Sequence, residues 1–260
     1  MIRVRTGRSL RTTTALVPLA PRGSFVNATE IVETLRSLGS ESTKRTLMKH
    51  GAQEPFFGVK VEDLQKIRKK IGVNYGLALE LDDTGISDAM YLAGLIADDA
   101  RMTKKDLQRW ADGAYWYMLS EFTVPWVASG NKHGWSIALK WIDSKKVNVA
   151  SAGWATLSSI VATVPDENLD MDQLKELLGR VAKTIHTQPG RVPYVMNGFV
   201  IAVASYVKLL TEAAVRTARS IGPVKVDMGE TSCKVPLATD YIRKIQDLGT
   251  IGRKRKMAKC

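Results

Sequence analysis

The chain has 260 residues, of which 45% are hydrophobic, and it carries a formal net charge of +12. Charged residues interrupt every apolar stretch, so none reaches the ~20 residues that span a bilayer, and a soluble protein with no membrane contact is expected. The two cysteines, Cys233 and Cys260, are too few for a disulfide framework, which indicates a reducing compartment and a cytoplasmic protein.

Residues 1 to about 25 are rich in Arg, Ser and Thr and precede the first acidic residue, Glu30. They show no apolar stripe of helical spacing, so we predict a disordered basic leader over residues 1–25. A mitochondrial transit peptide and an over-long bacterial start share this composition, and the sequence leaves both open. A transit peptide would make the protein mitochondrial.

From residue 26 to about 250 the sequence predicts helix after helix, joined by short breaks of Gly, Pro, Asp and Asn. The segment Asn27–Glu30 resembles a capping box, so the first helix begins there. Each later helix has apolar residues spaced three or four apart. The later predicted helices lie within 64–71, 77–81, 89–97, 106–117, 124–129, 136–142, 147–164, 171–185, 192–210, 212–220 and 238–248.

Helices of this length with short links pack as antiparallel pairs. The pairs recur at intervals of roughly 35–45 residues, which is typical of degenerate HEAT-type repeats. We therefore predict an all-α domain over residues 26–250, in which degenerate HEAT-like helical repeats form a curved α-solenoid with a concave groove. Such a groove presents a long binding surface.

Two segments near the C-terminus lack a helical pattern. Residues 224–236 are expected to form a short extended strand or an ordered loop, in which Cys233 is a bystander thiol. Residues 251–260 are predicted to be a basic tail, either solvated or in contact with phosphates. Ten of the 38 basic residues lie in the leader and the tail, which leaves 28 against 26 acidic residues between them. Total charge therefore does not establish a DNA-binding face.

All six tryptophans lie between Trp110 and Trp154, so this stretch is either the core or the lining of a site. Trp141 and Trp154 have apolar surroundings and are predicted to be core. Tyr115, Trp116 and Tyr117 place aromatic rings on more than one face of a helix, so one of the three is expected to be exposed in the groove.

Several segments together resemble the HEAT-like-repeat DNA alkylation repair glycosylases (AlkD-like). The resemblance covers roughly residues 30–245, and it lies more in the pattern of helices than in a catalytic signature. It is carried by Phe57–Arg68, Leu77–Leu81, Ala89–Asp98, Trp116, Trp141–Ser144 and Val192–Tyr206. The resemblance implies a protein that holds duplex DNA in a basic groove and releases alkylated purines. We expect a monomer, although the sequence leaves the oligomeric state open. In this family an Asp carboxylate stabilises the developing sugar cation, aided by groove aromatics and an Arg.

The sequence departs from the family at these catalytic positions. Aligned without gaps, Trp116 is kept, but Ser120 stands where the family has its catalytic Asp. The nearest carboxylate, Glu121, is the catalytic candidate, although one residue further along a helix turns its side chain by about 100°. The alternative is that Glu121 is a solvated residue or the partner of Lys132 or His133. The family's Arg falls near Ser151, and its second groove aromatic falls near Gly198 and Phe199.

Basic and polar residues in the central turns are the candidates for DNA contact, beside the three aromatics. At a groove rim they would bind phosphates, although paired lysines also occur at helix ends for solubility alone. No second His or Cys stands at ligand spacing from His133, so no metal is expected. Phosphate-loop and dinucleotide motifs are absent from the sequence, so no cofactor is expected. The candidates are Lys104, Lys105, Lys132, His133, Lys145, Lys146 and Asn148.

Two hypotheses follow from the sequence. In the first, the protein is an alkylpurine DNA glycosylase or a close derivative that uses Glu121 and Trp116. In the second, it is a catalytically inactive HEAT-like scaffold that binds nucleic acid or a protein partner in the same groove. A groove on which basic residues converge would favour DNA, whereas an apolar or mixed groove would favour a protein partner.

Overall fold

The computed structural model describes residues 27–259, so the predicted leader 1–25 lies outside the described residues. Within them the chain forms thirteen α-helices, one π-helix over Met118–Thr123 and three short 3₁₀ turns. The helices are α1 Ala28–Leu38, α2 Glu41–Lys49, α3 Val61–Ile71, α4 Tyr75–Asp83, α5 Ser87–Ile96, α6 Lys104–Gly113, α7 Val124–Ser129, α8 Gly134–Trp141, α9 Val147–Thr163, α10 Met171–Thr184, α11 Val192–Tyr206, α12 Thr211–Ile221 and α13 Ala238–Asp247.

The helices stack in two layers, and successive helices of the inner layer pack on one another. The inner layer contains α3, α5, the π-helix with α7, α9, α11 and α13. The outer layer contains α4, α6, α8, α10 and α12, with α1 beside α4. This arrangement confirms the predicted all-α, HEAT-like solenoid with a concave groove, and the inner layer lines that groove.

Local sequence determines where these helices begin. Asn27 caps α1 by accepting from the Glu30 amide at 2.9 Å, as the sequence predicts. Helix α6 begins with a full capping box, in which Thr103 and Asp106 each bond the other's backbone amide. Helix α2 is absent from the prediction, because it has no buried residue and so no apolar stripe, although Ser40 caps it.

Loss of the Thr103 cap is expected to lower the free energy of unfolding. Thr103→Ala leaves an amide at the start of α6 without its acceptor, which costs about 1 kcal/mol. Urea denaturation measures the loss, and Thr103→Ser, which keeps the hydroxyl, is the matched control. A serine variant as unstable as the alanine variant would show that the methyl group matters and the cap does not.

The tryptophans form most of the central core. Trp110, Trp141 and Trp154 are at most 1% exposed, which confirms the assignment of Trp141 and Trp154 to the core. Trp126 is also buried, and Trp135 is half-buried with its indole nitrogen bonded to Gln173. Phe199 packs on Trp154 at 5.2 Å, so it belongs to the core and not to the groove surface. The tryptophans therefore build most of the core, and Trp126 is the one among them that also lines the groove cavity described below.

Candidate functional site

A cavity of about 400 Å³ opens in the inner layer, where α7, α9, α11 and α13 meet. Its floor consists of small side chains of α9 and α11, and its walls are aromatic. Glu121 lies at one end and Arg255 of the C-terminal segment at another. The floor residues are Ala155, Ser158, Ser159, Ala162, Gly198 and Ala202, and the aromatic residues are Phe122, Trp126, Tyr194, Tyr206 and Tyr241.

The sequence of α11 explains this shape. Tyr194, Gly198, Ala202 and Tyr206 are spaced four apart, which places them along one face of the helix. The two tyrosines bound a stretch without bulky side chains. A Cβ atom added to Gly198 would meet nothing within 4 Å, so this glycine opens space above the floor and does not serve close helix packing.

The π-helix brings Glu121 to the groove. A π-turn holds more residues than an α-turn and so shifts the register of the side chains that follow. Glu121 lies within Met118–Thr123 and lines the cavity, although its side chain is only 3% exposed. The rotation that an α-helix predicts for Glu121 therefore does not apply here.

Both carboxylate oxygens of Glu121 bind one guanidinium group. Arg191 Nε donates to Oε1 at 2.5 Å, and Nη2 donates to Oε2 at 2.8 Å. Glu121 is thus neither solvated nor paired with Lys132 or His133, and its partner is Arg191. Burial raises the pKa of Glu121, and Arg191 opposes that rise.

Aromatic rings hold the guanidinium group in place. Arg191 lies 4.4 Å from the ring centroid of Tyr117 and 4.7 Å from that of Tyr194, and its Nη1 contacts the Met228 sulfur at 3.8 Å. Each such cation–π contact adds to the ion pair, more so where water is excluded. The arrangement is a buried ion pair in which the charge of the carboxylate is already balanced by the guanidinium group, and each of its oxygens accepts a hydrogen bond from Arg191.

The positions that replace the family's catalytic groups are buried. Ser120 is 4% exposed, and its hydroxyl donates to the Trp116 carbonyl at 3.4 Å. Ser151 is 1% exposed, and its hydroxyl has no hydrogen-bond partner among the described residues. The guanidinium group that faces Glu121 comes from the start of α11, one inner helix beyond Ser151 in α9.

Only one of the three adjacent aromatics lies at this pair. Tyr115 donates to the carbonyls of Pro55 and Gly85, at 3.0 and 3.2 Å. Trp116 is buried and donates to the Ser87 hydroxyl at 2.6 Å. Tyr115 and Trp116 therefore join the π-helix to the N-terminal repeats, and Tyr117 is the ring beside Arg191. None of the three is exposed, so the prediction of an exposed ring among them is wrong.

The predicted DNA-binding residues at the turns divide into two groups at opposite ends of α6. Burial lowers the pKa of His133, and Lys104 and Lys132 lie close enough to lower that pKa further. At the other end Lys146 pairs with Asp112 at 2.7 Å, and Asn148 donates to the Ala111 carbonyl at 2.8 Å. Lys105 adjoins Lys104, and Lys145 adjoins Lys146. None of the seven lines the cavity, and their contact with DNA stays a prediction.

The C-terminal segment 251–259 is ordered and docked, which the sequence did not predict. It crosses the C-terminal ends of three inner helices in turn, and it bonds carbonyls of Ser205 in α11, Val161 and Ala162 in α9, and Ala97 after α5. Lys254 pairs with Asp166 at 2.7 Å, and Lys259 pairs with Asp99 at 2.6 Å. The expectation that the whole tail is solvated or open to phosphates is therefore corrected. Arg253, Arg255 and Lys256 are the basic residues left exposed along it.

Residues 224–236 form an ordered loop that reaches the N-terminal repeats. The Glu230 amide donates to the Lys49 carbonyl at 3.0 Å, and Asn197 donates to the Pro236 carbonyl at 2.9 Å. Gly229, at φ +73°, lies so close to Lys49 that an added Cβ would be 2.5 Å from the Lys49 oxygen. Cys233 is exposed on this loop.

Sequence reasoning missed Arg191, Tyr194, Tyr206, Tyr241 and Arg255. A spacing of four between aromatic and small residues in α11 was the available signal for the tyrosines of that helix. Over residues 27–259 no three His, Cys, Asp or Glu side chains gather as metal ligands. In the same range no single helix has the length and apolarity to cross a membrane. One pair of helices, Val192–Tyr206 with Lys208–Ile221, reaches that length and apolarity together, and the two are bent by 114° relative to each other.

Comparisons with known proteins agree with this architecture. The family described as DNA alkylation repair enzyme matches residues 31–220. Uncharacterized proteins of Listeria innocua and Listeria monocytogenes are each 32% identical over 219 residues, which cover 82% of this chain and 94% of theirs. A solved structure is 37% identical with a TM-score of 0.83, and the match covers 90% of this chain and 100% of that one. It is described as a new family of proteins related to the HEAT-like repeat DNA glycosylases with affinity for branched DNA structures.

Proposed function

The chain belongs to the DNA alkylation repair enzyme family, and on this premise we propose that it binds branched DNA in its groove without excising alkylated bases. The observation that carries the proposal is the bidentate ion pair between Glu121 and Arg191. In this pair Arg191 balances the negative charge that the family's chemistry requires, while the groove of the family is retained.

Base release needs a carboxylate that gains interaction energy as positive charge develops on the sugar. Glu121 is the only acidic residue among those that line the cavity, and its charge is already neutralised by Arg191. Ser120 is uncharged and turned toward the backbone of its own helix. Release of an alkylated purine would require Arg191 to leave both the carboxylate and the two tyrosine rings that flank it.

DNA binding, unlike base excision, does not require a free carboxylate. The groove offers aromatic faces on which bases stack, and the docked tail exposes Arg253, Arg255 and Lys256, of which Arg255 lines the cavity. A branch point exposes unstacked bases and crowds phosphates from several strands. The cavity lining is mixed and not basic, which by itself would favour a protein partner. The affinity for branched DNA described for the similar solved structure supports the choice of branched DNA over a protein partner and over plain duplex.

The test compares two activities of the full chain. Fluorescence anisotropy with a four-way junction and a duplex of the same sequence is expected to show at least tenfold tighter binding to the junction. Methylated duplex DNA is expected to yield no alkylated base above the protein-free control. Release by the wild type that is lost in folded Glu121→Gln would overturn the proposal in favour of a glycosylase, and equal failure to bind junction and duplex would overturn it altogether.

A charge-matched pair of variants separates the docked tail from the turns that the sequence predicted. Replacing Arg253, Arg255 and Lys256 with glutamine is expected to weaken junction binding and to reduce the slope of log affinity against log salt concentration by about 0.9 for each lost phosphate contact. The control removes three charges at Lys104, Lys105 and Lys132. Both changes are measured by titration at several salt concentrations. A control that is affected as strongly as the tail variant would assign the phosphate contacts to the outer turns.

A further inference from the structure

The cavity above α9 and α11 has aromatic and hydroxyl groups that phosphate binding alone does not require. Its volume of about 400 Å³ lies within the range of about 300 to 1,000 Å³ that is typical of small-molecule sites. DNA backbones lie on open surfaces and do not require such a recess. A recess with aromatic walls is suited to a flat group that leaves the duplex.

The walls are preorganised by contacts among the lining rings and with residues behind them. Trp126 packs edge-on against Tyr91 at 5.3 Å and against Phe122 at 6.1 Å. Tyr194 is held by the guanidinium of Arg191. These rings keep their positions when the cavity is empty, so stacking a ligand on them costs little side-chain entropy.

The opposite wall and the floor carry polar groups that the fold does not use. Tyr241 is 48% exposed, and its hydroxyl makes no hydrogen bond within residues 27–259, nor does that of Tyr206. The Ser159 hydroxyl on the floor is likewise unbonded in this range, whereas its neighbour Ser158 donates to the Trp154 carbonyl. Hydroxyl groups both donate and accept, so they match the mixed edge of a nucleobase.

The charged residues at the cavity restrict the charge of the ligand that it can bind. The Glu121–Arg191 pair presents no net charge, so the cavity does not select a cation. Arg255 lines the mouth, and its guanidinium group makes no side-chain hydrogen bond among the described residues. The cavity is therefore suited to a ligand with a planar ring inside and an anionic group beside Arg255, and one nucleotide of a DNA strand has both.

We propose that this cavity holds a single unpaired nucleobase that leaves the branch point of bound DNA, with Arg255 on the phosphate of the same nucleotide. The inference rests on the proposed function, which supplies the DNA. It adds a site that distinguishes a branch with an unpaired base from a fully paired one. Unpairing costs least where a base already lacks a partner, as at a branch.

Gly198→Leu is the variant that fills the pocket. A Cβ at this position meets nothing within 4 Å, so the leucine side chain extends over the floor without displacing backbone. Gly179→Leu is the matched control, because Gly179 lies in α10 of the outer layer and is equally open. Both changes also replace a helical glycine with a better helix former, so their effects on helix stability are the same in kind.

The experiment uses two three-way junctions that differ in one nucleotide at the branch, an unpaired adenine in one and an abasic residue in the other. Wild type and Gly179→Leu are expected to bind the adenine junction about tenfold more tightly than the abasic one, in line with stacking on aromatic side chains. Gly198→Leu is expected to lose this preference and keep the affinity for the abasic junction. Tyr241→Ala is expected to reduce the preference in the same direction.

Two outcomes overturn the pocket and leave junction binding in place. In one, the wild type binds both junctions equally well. In the other, Gly198→Leu weakens the adenine and abasic junctions by the same factor, which would mean that the leucine blocks the groove as a whole. Failure of the wild type to bind any branched DNA would overturn the proposed function and the pocket with it.

Discussion

Arg191→Met is expected to lower the free energy of unfolding by about 3–5 kcal/mol, because it leaves a buried carboxylate without its counter-charge. The Glu121 side chain is 3% exposed and has no second cation among its described contacts. Methionine has a volume similar to the aliphatic part of arginine, so the loss arises from charge more than from a cavity. Equilibrium denaturation in urea at pH 7 measures it.

A second change should restore most of this loss. In the double variant Glu121→Gln with Arg191→Met the buried charge is gone, so the free energy of unfolding is expected to return close to the wild-type value. The control is Arg109→Met, which breaks the exposed pair with Asp83 and is expected to cost less than about 1 kcal/mol. A double variant no more stable than Arg191→Met would show that stacking on Tyr117 and Tyr194 outweighs the ion pair.

The pH dependence follows from the same group. Burial raises the pKa of Glu121 above its ordinary value, and removal of Arg191 removes the interaction that opposes the rise. A carboxyl group with a raised pKa in the folded state stabilises below its unfolded pKa, and this stability is lost as pH rises through the folded pKa. The deficit of Arg191→Met is therefore expected to grow from pH 4 to pH 8 in urea titrations. A deficit that does not change with pH would contradict the assignment to Glu121.

Sequence periodicity was sufficient for the architecture because outer helices such as α6, α10 and α12 bury one stripe of apolar residues, and the inner helices α5, α9 and α11 are apolar and buried over most of their surface. It failed where that signal is weak or interrupted. Helix α2 buries no residue, and the predicted helix 106–117 ends at Gly113, before the π-helix. The predicted helix 192–210 breaks at Val207, where a 3₁₀ turn follows. In each case the boundary depends on packing against other repeats, which the local pattern does not contain.

The site was harder to predict because its parts are distant in the chain. Glu121 and Arg191 are 70 residues apart, and no spacing rule joins them. The direction of Glu121 depends on the π-helix, which the pattern of apolar residues does not reveal. The tail shows the same limit, since its lysines look solvated in the sequence and pair with Asp99 and Asp166 only once the repeats are stacked.

The docked tail stabilises the inner layer by bonding carbonyl groups that the last turn of a helix leaves without partners. Its contacts reach α11, α9 and the end of α5, so one segment joins three repeats that otherwise touch only their neighbours. In a solenoid the interfaces between neighbouring repeats carry the stability, and a strap across several of them makes unfolding more cooperative.

Truncation after Thr250 is therefore expected to lower the free energy of unfolding by about 3 kcal/mol, from several hydrogen bonds of about 1 kcal/mol each and two partly exposed ion pairs. Burial raises the pKa of Asp99 and Lys259 opposes that rise, so the loss should be smaller at low pH, where Asp99 is protonated in both states. The point variants Lys254→Met and Lys259→Met divide the effect, and Lys256→Met, on an exposed side chain, is the control. Denaturation curves that keep their midpoint on truncation would mean that the tail rests on the repeats without stabilising them, whereas a broadened transition would show that it couples them.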